Sequence, residues 1–126
     1  MLTFVAVAIG GALGAMLRHA VNLASIRWLG WGFPWGTFIE NVLGCFLMGV
    51  VATVFAAKAD LAPQWRALIA TGLLGGFTTF SAFAFDTAGM LGTGMMGRAA
   101  LYFAGTLILA FAGFYLGAVL TRLWLS

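Results

Sequence analysis

The sequence alternates between four long apolar runs and three short polar connectors. The runs predict membrane spans at about residues 3–24, 36–57, 65–91 and 98–123. Each is close to the roughly 20 apolar residues that carry an α-helix across a hydrocarbon core of about 30 Å. Strand-type alternation is absent, and the runs are far longer than the roughly 10-residue strands of a membrane barrel. The pattern predicts an all-α membrane protein, with residues 1–126 forming a single four-span domain. The third run departs from a plain lipid-facing helix. From Gly72 to Phe85 it reads GLLGGFTTFSAFAF, with three glycines, three hydroxyls and four phenylalanines in fourteen residues. In hydrocarbon every backbone polar group must be satisfied, so irregular backbone survives only inside protein or beside a water-filled cavity. The expectation is a spanning helix that breaks between Gly75 and Thr79 and turns carbonyls towards an ion. The spacing of Phe77, Phe80 and Phe83 would put three rings along one helical face.

Composition agrees with the spans. The chain is 63% hydrophobic and 7% charged, which no soluble domain of this size requires. Glycine, at 18 residues, suits close helix approach in lipid. Gly10-x-x-x-Gly14 in the first span and Gly113-x-x-x-Gly117 in the fourth are both small-x-x-x-small patterns. The net charge of +3 is scattered and does not suggest nucleic-acid binding. Cys45 is alone, so it has neither an internal disulfide partner nor a companion metal ligand. No secretory signal is expected, because the first basic residue is Arg18. His19 has no metal-ligand partner at helical spacing, Ser81 has no nearby base, and no Walker-type loop is present. No enzyme constellation emerges.

The polar residues within the runs carry more information. Arg18, His19 and Asn22 occupy the last two turns of the first span. They could snorkel to the interface, or Arg18 could stand at the mouth of an anion path. The connector at residues 25–35 holds Arg27, Trp28, Trp31 and Trp35, an interfacial aromatic belt. Asn41 in the second span reads first as an interhelical hydrogen-bonding group. Glu40 lies about one turn inside that span, on the side that Arg18 approaches. A bare carboxylate there is costly, so Glu40 is expected to be paired with Arg18, interfacial or protonated rather than a coupling carboxylate. Asp86 reads as an interfacial charge or a vestibule residue. Tyr102 and Thr106, four apart, share a face. Tyr102 reads as an aromatic-belt residue first and as part of a polar track second.

Four spans put both termini on one side of the membrane, together with Lys58, Arg66 and Arg122. Arg18, Arg27 and Arg98 lie on the other side. This balance gives the positive-inside rule nothing to act on. Such a chain is expected to insert in both orientations and to pair as an antiparallel, dual-topology homodimer about a two-fold axis in the membrane plane. Four helices enclose a water-filled path poorly, and an isologous dimer is the simplest remedy.

The residues then resemble a known family over essentially the whole chain. GGALGAMLR, ending at Arg18, GTFIENVLG in the second span and GLLGGFTTFSAF in the third are similar to the motifs of the Fluc (CrcB) fluoride channels. The resemblance implies a fluoride-selective channel in the inner (plasma) membrane of a prokaryote. It would passively export fluoride from the cytoplasm and reject chloride, with two pores in each antiparallel dimer. Phe80 and Phe83 would line the pores with their ring edges. Asn41 would donate amide hydrogens to the anion, and Ser81 and Thr37 would add hydroxyl contacts. Tyr102 and Thr106 would form a polar track, and Arg18 would stand near a vestibule. The carbonyls of Gly75 and Thr78 from both subunits would hold a central structural sodium ion. A ring edge is positive, so it can favour an anion without carrying a full charge. Weak serial contacts are what conduction requires.

The sequence departs from the family pattern at three positions. Ala82 stands where a hydroxyl is frequent, Ala110 stands where a hydroxyl would extend the track, and Glu40 stands where an apolar residue is expected. Two other function classes compete with the channel. A proton-coupled, dual-topology exporter of cationic drugs needs a membrane carboxylate, which here only Glu40 could supply. A non-transporting membrane subunit would explain the glycines but not the hydroxyl-rich third run.

Overall fold

The computed structural model describes all of residues 1–126, and its regular elements are all helices. Helix α1 (Leu2–Leu29) and helix α2 (Trp35–Ala57) form the first two spans. The third span starts with a short α3 (Pro63–Arg66), widens into a π-helical stretch (Ala67–Leu74) and tightens again in α4 (Gly75–Phe77). It resumes as α5 (Phe80–Gly92), and α6 (Met96–Leu125) is the fourth span. The four spans are 28, 23, 30 and 30 residues long. Even the shortest reaches about 34 Å at about 1.5 Å per residue, enough to cross the hydrocarbon core.

The first helix runs beyond the expected residues 3–24, and the reason is local. Nothing in Ser25–Leu29 interrupts a helix. The chain turns only at Gly30, whose φ of 81° suits glycine and whose N–H bonds the Ile26 carbonyl. Arg27 and Trp28 therefore lie on the last turn of α1 rather than in the connector. The cation there also complements the negative end of the helix dipole. The shorter connector begins at Gly30.

Glycines set the packing. Side chains at Gly10 or Gly14 would collide with the Leu68 and Leu73 carbonyls, so α1 lies directly on the π stretch. On the other side of the molecule, Gly113 of α6 meets the Val42 carbonyl and Gly117 of α6 meets the Phe46 carbonyl. In both pairs the residue numbers rise together, so the paired helices run parallel, as the first and third spans and the second and fourth spans must. Close backbone approach through small residues is the main means of helix association in lipid. Only 20 of 126 residues are buried, and the large exposed side chains include Phe4, Leu101, Ile108 and Phe111. Most of the apolar surface therefore faces outward, as it does when lipid is the solvent. A smaller core remains at one end, where Phe83, Met90, Ala99 and Tyr102 pack together with Phe33, Phe38 and Leu107 against them.

Candidate functional site

The site is built around two residues in the third span. Thr78 (φ −87°, ψ 154°) and Thr79 (φ −152°, ψ 116°) are extended between α4 and α5. Their polar groups are shared among several elements. The Thr78 N–H and hydroxyl both donate to the Leu74 carbonyl at 3.0 Å. The Thr79 hydroxyl caps α5 by accepting from the Ala82 N–H at 3.2 Å, and it also lies 3.2 Å from the Ser81 hydroxyl. Asn41 reaches across from α2 and holds both sides of the Thr79 backbone. Its Nδ2 donates to the Thr79 carbonyl at 3.0 Å, and its Oδ1 accepts from the Thr79 N–H at 2.8 Å. From α1, Arg18 Nε donates to the Gly76 carbonyl at 3.0 Å. No N–H is directed at the carbonyls of Gly75 or Thr78.

The extended pair also separates the aromatic residues. Phe77, Phe80 and Phe83 do not form one stripe, because two non-helical residues reset the register between Phe77 and Phe80. Phe77 is buried beside Gly14 and Gly44. Phe80 and Phe83 meet edge to face at 5.9 Å. Phe83 is 3% exposed, tilted against Tyr102 at 5.2 Å and stacked on Phe103 at 5.6 Å. Phe80 is 76% exposed on the outer face of the chain. Ser81 is exposed on the same helix.

On the inner side of Phe83 the polar residues gather. Tyr102 is wholly buried, so it is not a belt residue, and its hydroxyl donates to Asp86 Oδ2 at 3.1 Å. Thr37 is buried beside the same phenol. Thr37 and Asp86 also line a cavity of about 380 Å³ with Asn22, Ser25 and Thr93, so Asp86 faces this cavity while tied to Tyr102. Thr106 and Ala110 follow Tyr102 at successive turns, and all three are buried on one face of α6. The hydroxyl of Thr106 has no hydrogen-bond partner in the chain.

Two expectations about charge do not hold. Arg18 is not paired with Glu40, because its guanidinium turns to the Gly76 carbonyl. Glu40 is not interfacial either. It is completely buried, and neither carboxylate oxygen has a hydrogen-bond partner. Asn41, expected to face an anion, commits one amide hydrogen and its carbonyl to Thr79. Sequence reasoning missed this clamp and the Asp86–Tyr102 bond. A signal for the second was present, since Phe83 and Asp86 are three apart and share a helical face.

Comparison with known proteins bears on what this arrangement belongs to. The sequence model of the family described as "CrcB-like protein, Camphor Resistance (CrcB)" matches residues 5–118. The "Fluoride-specific ion channel FluC 2" of Nitrobacter hamburgensis is 46% identical over 121 residues, covering 96% of this chain and 98% of that protein. The "Fluoride-specific ion channel FluC" of Rhodopseudomonas palustris is also 46% identical over 121 residues, with the same coverage. That of Acidobacterium capsulatum is 48% identical over 113 residues, covering 90% of each chain. With a family match across nearly the whole length and relatives this similar, the chain belongs to the CrcB family.

Proposed function

We propose that this chain is a fluoride-selective channel that lets fluoride leave the cytoplasm passively through two pores in an antiparallel homodimer. The observation that carries the reading is the Phe80–Phe83 edge contact beside the Asn41-held Thr79, in a family whose curated relatives bear the name of fluoride channels. Fluoride is small and strongly hydrated, so its path must replace water with donors. Ser81, Thr37, Thr106 and the second Asn41 N–H are the donors near the rings, and Tyr102, whose hydroxyl donates to Asp86, completes the polar track. The ring edges of Phe80 and Phe83 add a weak positive potential without a trap. A narrow aromatic passage also disfavours larger halides. Arg18, held by Gly76, keeps a positive charge near the path.

Exposure supports the dimer. Phe80, Ser81 and Gly75 lie on the open face of one chain, next to backbone that is not helical. Lipid cannot satisfy such backbone, so a second copy is needed to cover it. In this reading the third span is broken at Thr78 and Thr79. The carbonyls of Gly75 and Thr78, free of N–H partners, are hard oxygen donors suited to a sodium ion. When bound there, sodium would supply a fixed positive charge holding the two broken helices together. The exporter reading rested on Glu40 alone, and the family match favours the channel.

The test is fluoride flux through Phe80→Ile and Phe83→Ile variants reconstituted beside the parent. Loss of flux in both supports the pore assignment, and flux equal to the parent's in either would remove that residue from the pore.

A further inference from the structure

Glu40 is the buried group that the pore reading leaves without a role. Both of its carboxylate oxygens lack partners, and so does the buried Thr106 hydroxyl. The packing of α2 on α6 relates these groups. The Val42 carbonyl lies against Gly113 and the Phe46 carbonyl against Gly117. Together with the Phe114 carbonyl against Gly49, these contacts set Glu40 level with the stretch from Gly105 to Phe111 of α6, which holds Thr106 and Ala110. Side chains on a helix lean towards its N-terminus, so the Glu40 carboxyl reaches back towards Thr106 and Tyr102.

The charged and titratable groups facing Glu40 are Arg18 from α1, Asp86 from α5 and Tyr102 from α6. Arg18 is engaged by Gly76, and Tyr102 donates to Asp86. No cation is bonded to Glu40. An ionised carboxylate at this depth would be an uncompensated buried charge beside a second acid and an anion path. A carboxylic acid is neutral and carries an O–H donor. Ala110, one turn beyond Thr106 on the same buried face of α6, is where the track lacks a hydroxyl.

Resting on the channel reading above, we propose that Glu40 is a further fluoride-contacting residue of this chain: as a carboxylic acid it donates its O–H to the anion next to Thr106, in place of the hydroxyl absent at Ala110. Loss of the proton replaces a donor with a repelling charge and closes the path.

The experiment is fluoride efflux from liposomes holding the full-length dimer, from about pH 6 to about pH 9, where a single acid can lower flux by up to about tenfold per pH unit above its midpoint. Protein-free liposomes provide the correction for leakage of HF through lipid. Parent flux should fall as pH rises. Glu40→Gln keeps a donor without an ionisable proton, so it should conduct at a reduced rate that does not vary with pH. Glu40→Val should conduct less than Glu40→Gln, and adding Ala110→Ser should recover part of that loss. Asp86→Asn should retain the pH slope. A flat parent profile, a Glu40→Gln variant that keeps the slope, or an Asp86→Asn variant that alone loses it would overturn the proposal. A parent that passes no fluoride at any pH would overturn the channel reading itself and this proposal with it.

Discussion

Removing the Asn41 amide should weaken both the fold and the flux. Asn41→Ala deletes two hydrogen bonds, of 3.0 and 2.8 Å, and leaves a backbone N–H and a carbonyl of Thr79 unpaired at membrane depth. A buried backbone group left unsatisfied costs about 1–3 kcal/mol in proteins generally. Interhelical polar contacts in membranes average nearer about 0.6 kcal/mol, with a maximum of about 1.7. Asn41 and Thr79 are each only half-buried, which favours the lower end of both ranges. Two groups then give roughly 1.5–3 kcal/mol, a shift of about ten- to a hundredfold in the folding equilibrium. Asn41→Asp separates the two bonds. A carboxylate can still accept from the Thr79 N–H but cannot donate to the Thr79 carbonyl, so its loss should be at least as large. The assay is thermal unfolding of the purified protein in detergent, with fluoride flux measured on the same preparations. A residue that only offered a donor to the anion would lose flux and keep its stability. Asn41→Ala unfolding at the parent's temperature would refute the clamp.

Other variants test neighbouring parts of the account. A Cβ at Gly44 would strike Cγ2 of Thr78, so Gly44→Ala should destabilise by about 1–3 kcal/mol. Thr78→Ser removes that methyl group, and the double variant should recover stability in the same unfolding assay. Phe83→Ile empties part of a packed aromatic cluster and should cost about 1–3 kcal/mol, whereas Phe80→Ile, on the exposed face, should leave the single chain's stability unchanged within about 0.5 kcal/mol. Denaturation of both variants would show whether the two rings differ in this way. Tyr102→Phe leaves Asp86 without its hydroxyl donor and should lower stability by about 1–2 kcal/mol, read by the same unfolding transition. A terminal tag should be accessible from both faces of the membrane, and labelling on a single face would refute dual topology.

What could be read from the chain alone divides along physical lines. Helices long and apolar enough to span a membrane are a property of local composition, and all four are present. The close contacts at Gly10, Gly14 and Gly117 were legible as well, because small residues one turn apart mark a face where backbones meet. Where a helix ends is a finer matter. Gly30 stops α1 by its dihedral, and the apolar count had already run down by Ala24. Partner choice was the least legible feature. Arg18 and Glu40 lie at similar depth, yet whether they meet depends on how α1 and α2 are rotated, and the rotation gives Arg18 to the Gly76 carbonyl. The Asn41 clamp likewise depends on the height of α2 relative to Thr79. Phe77 left the aromatic face because two extended residues changed the phase of the helix, which a constant period cannot represent.

The most direct measurement of the central claim is anion efflux from liposomes containing the purified protein, with fluoride followed by an ion-selective electrode and chloride followed in parallel. The account predicts rapid fluoride loss with no chloride loss above that of protein-free liposomes. Fluoride retention at the acid end of the pH range, or chloride loss as fast as fluoride loss, would contradict it.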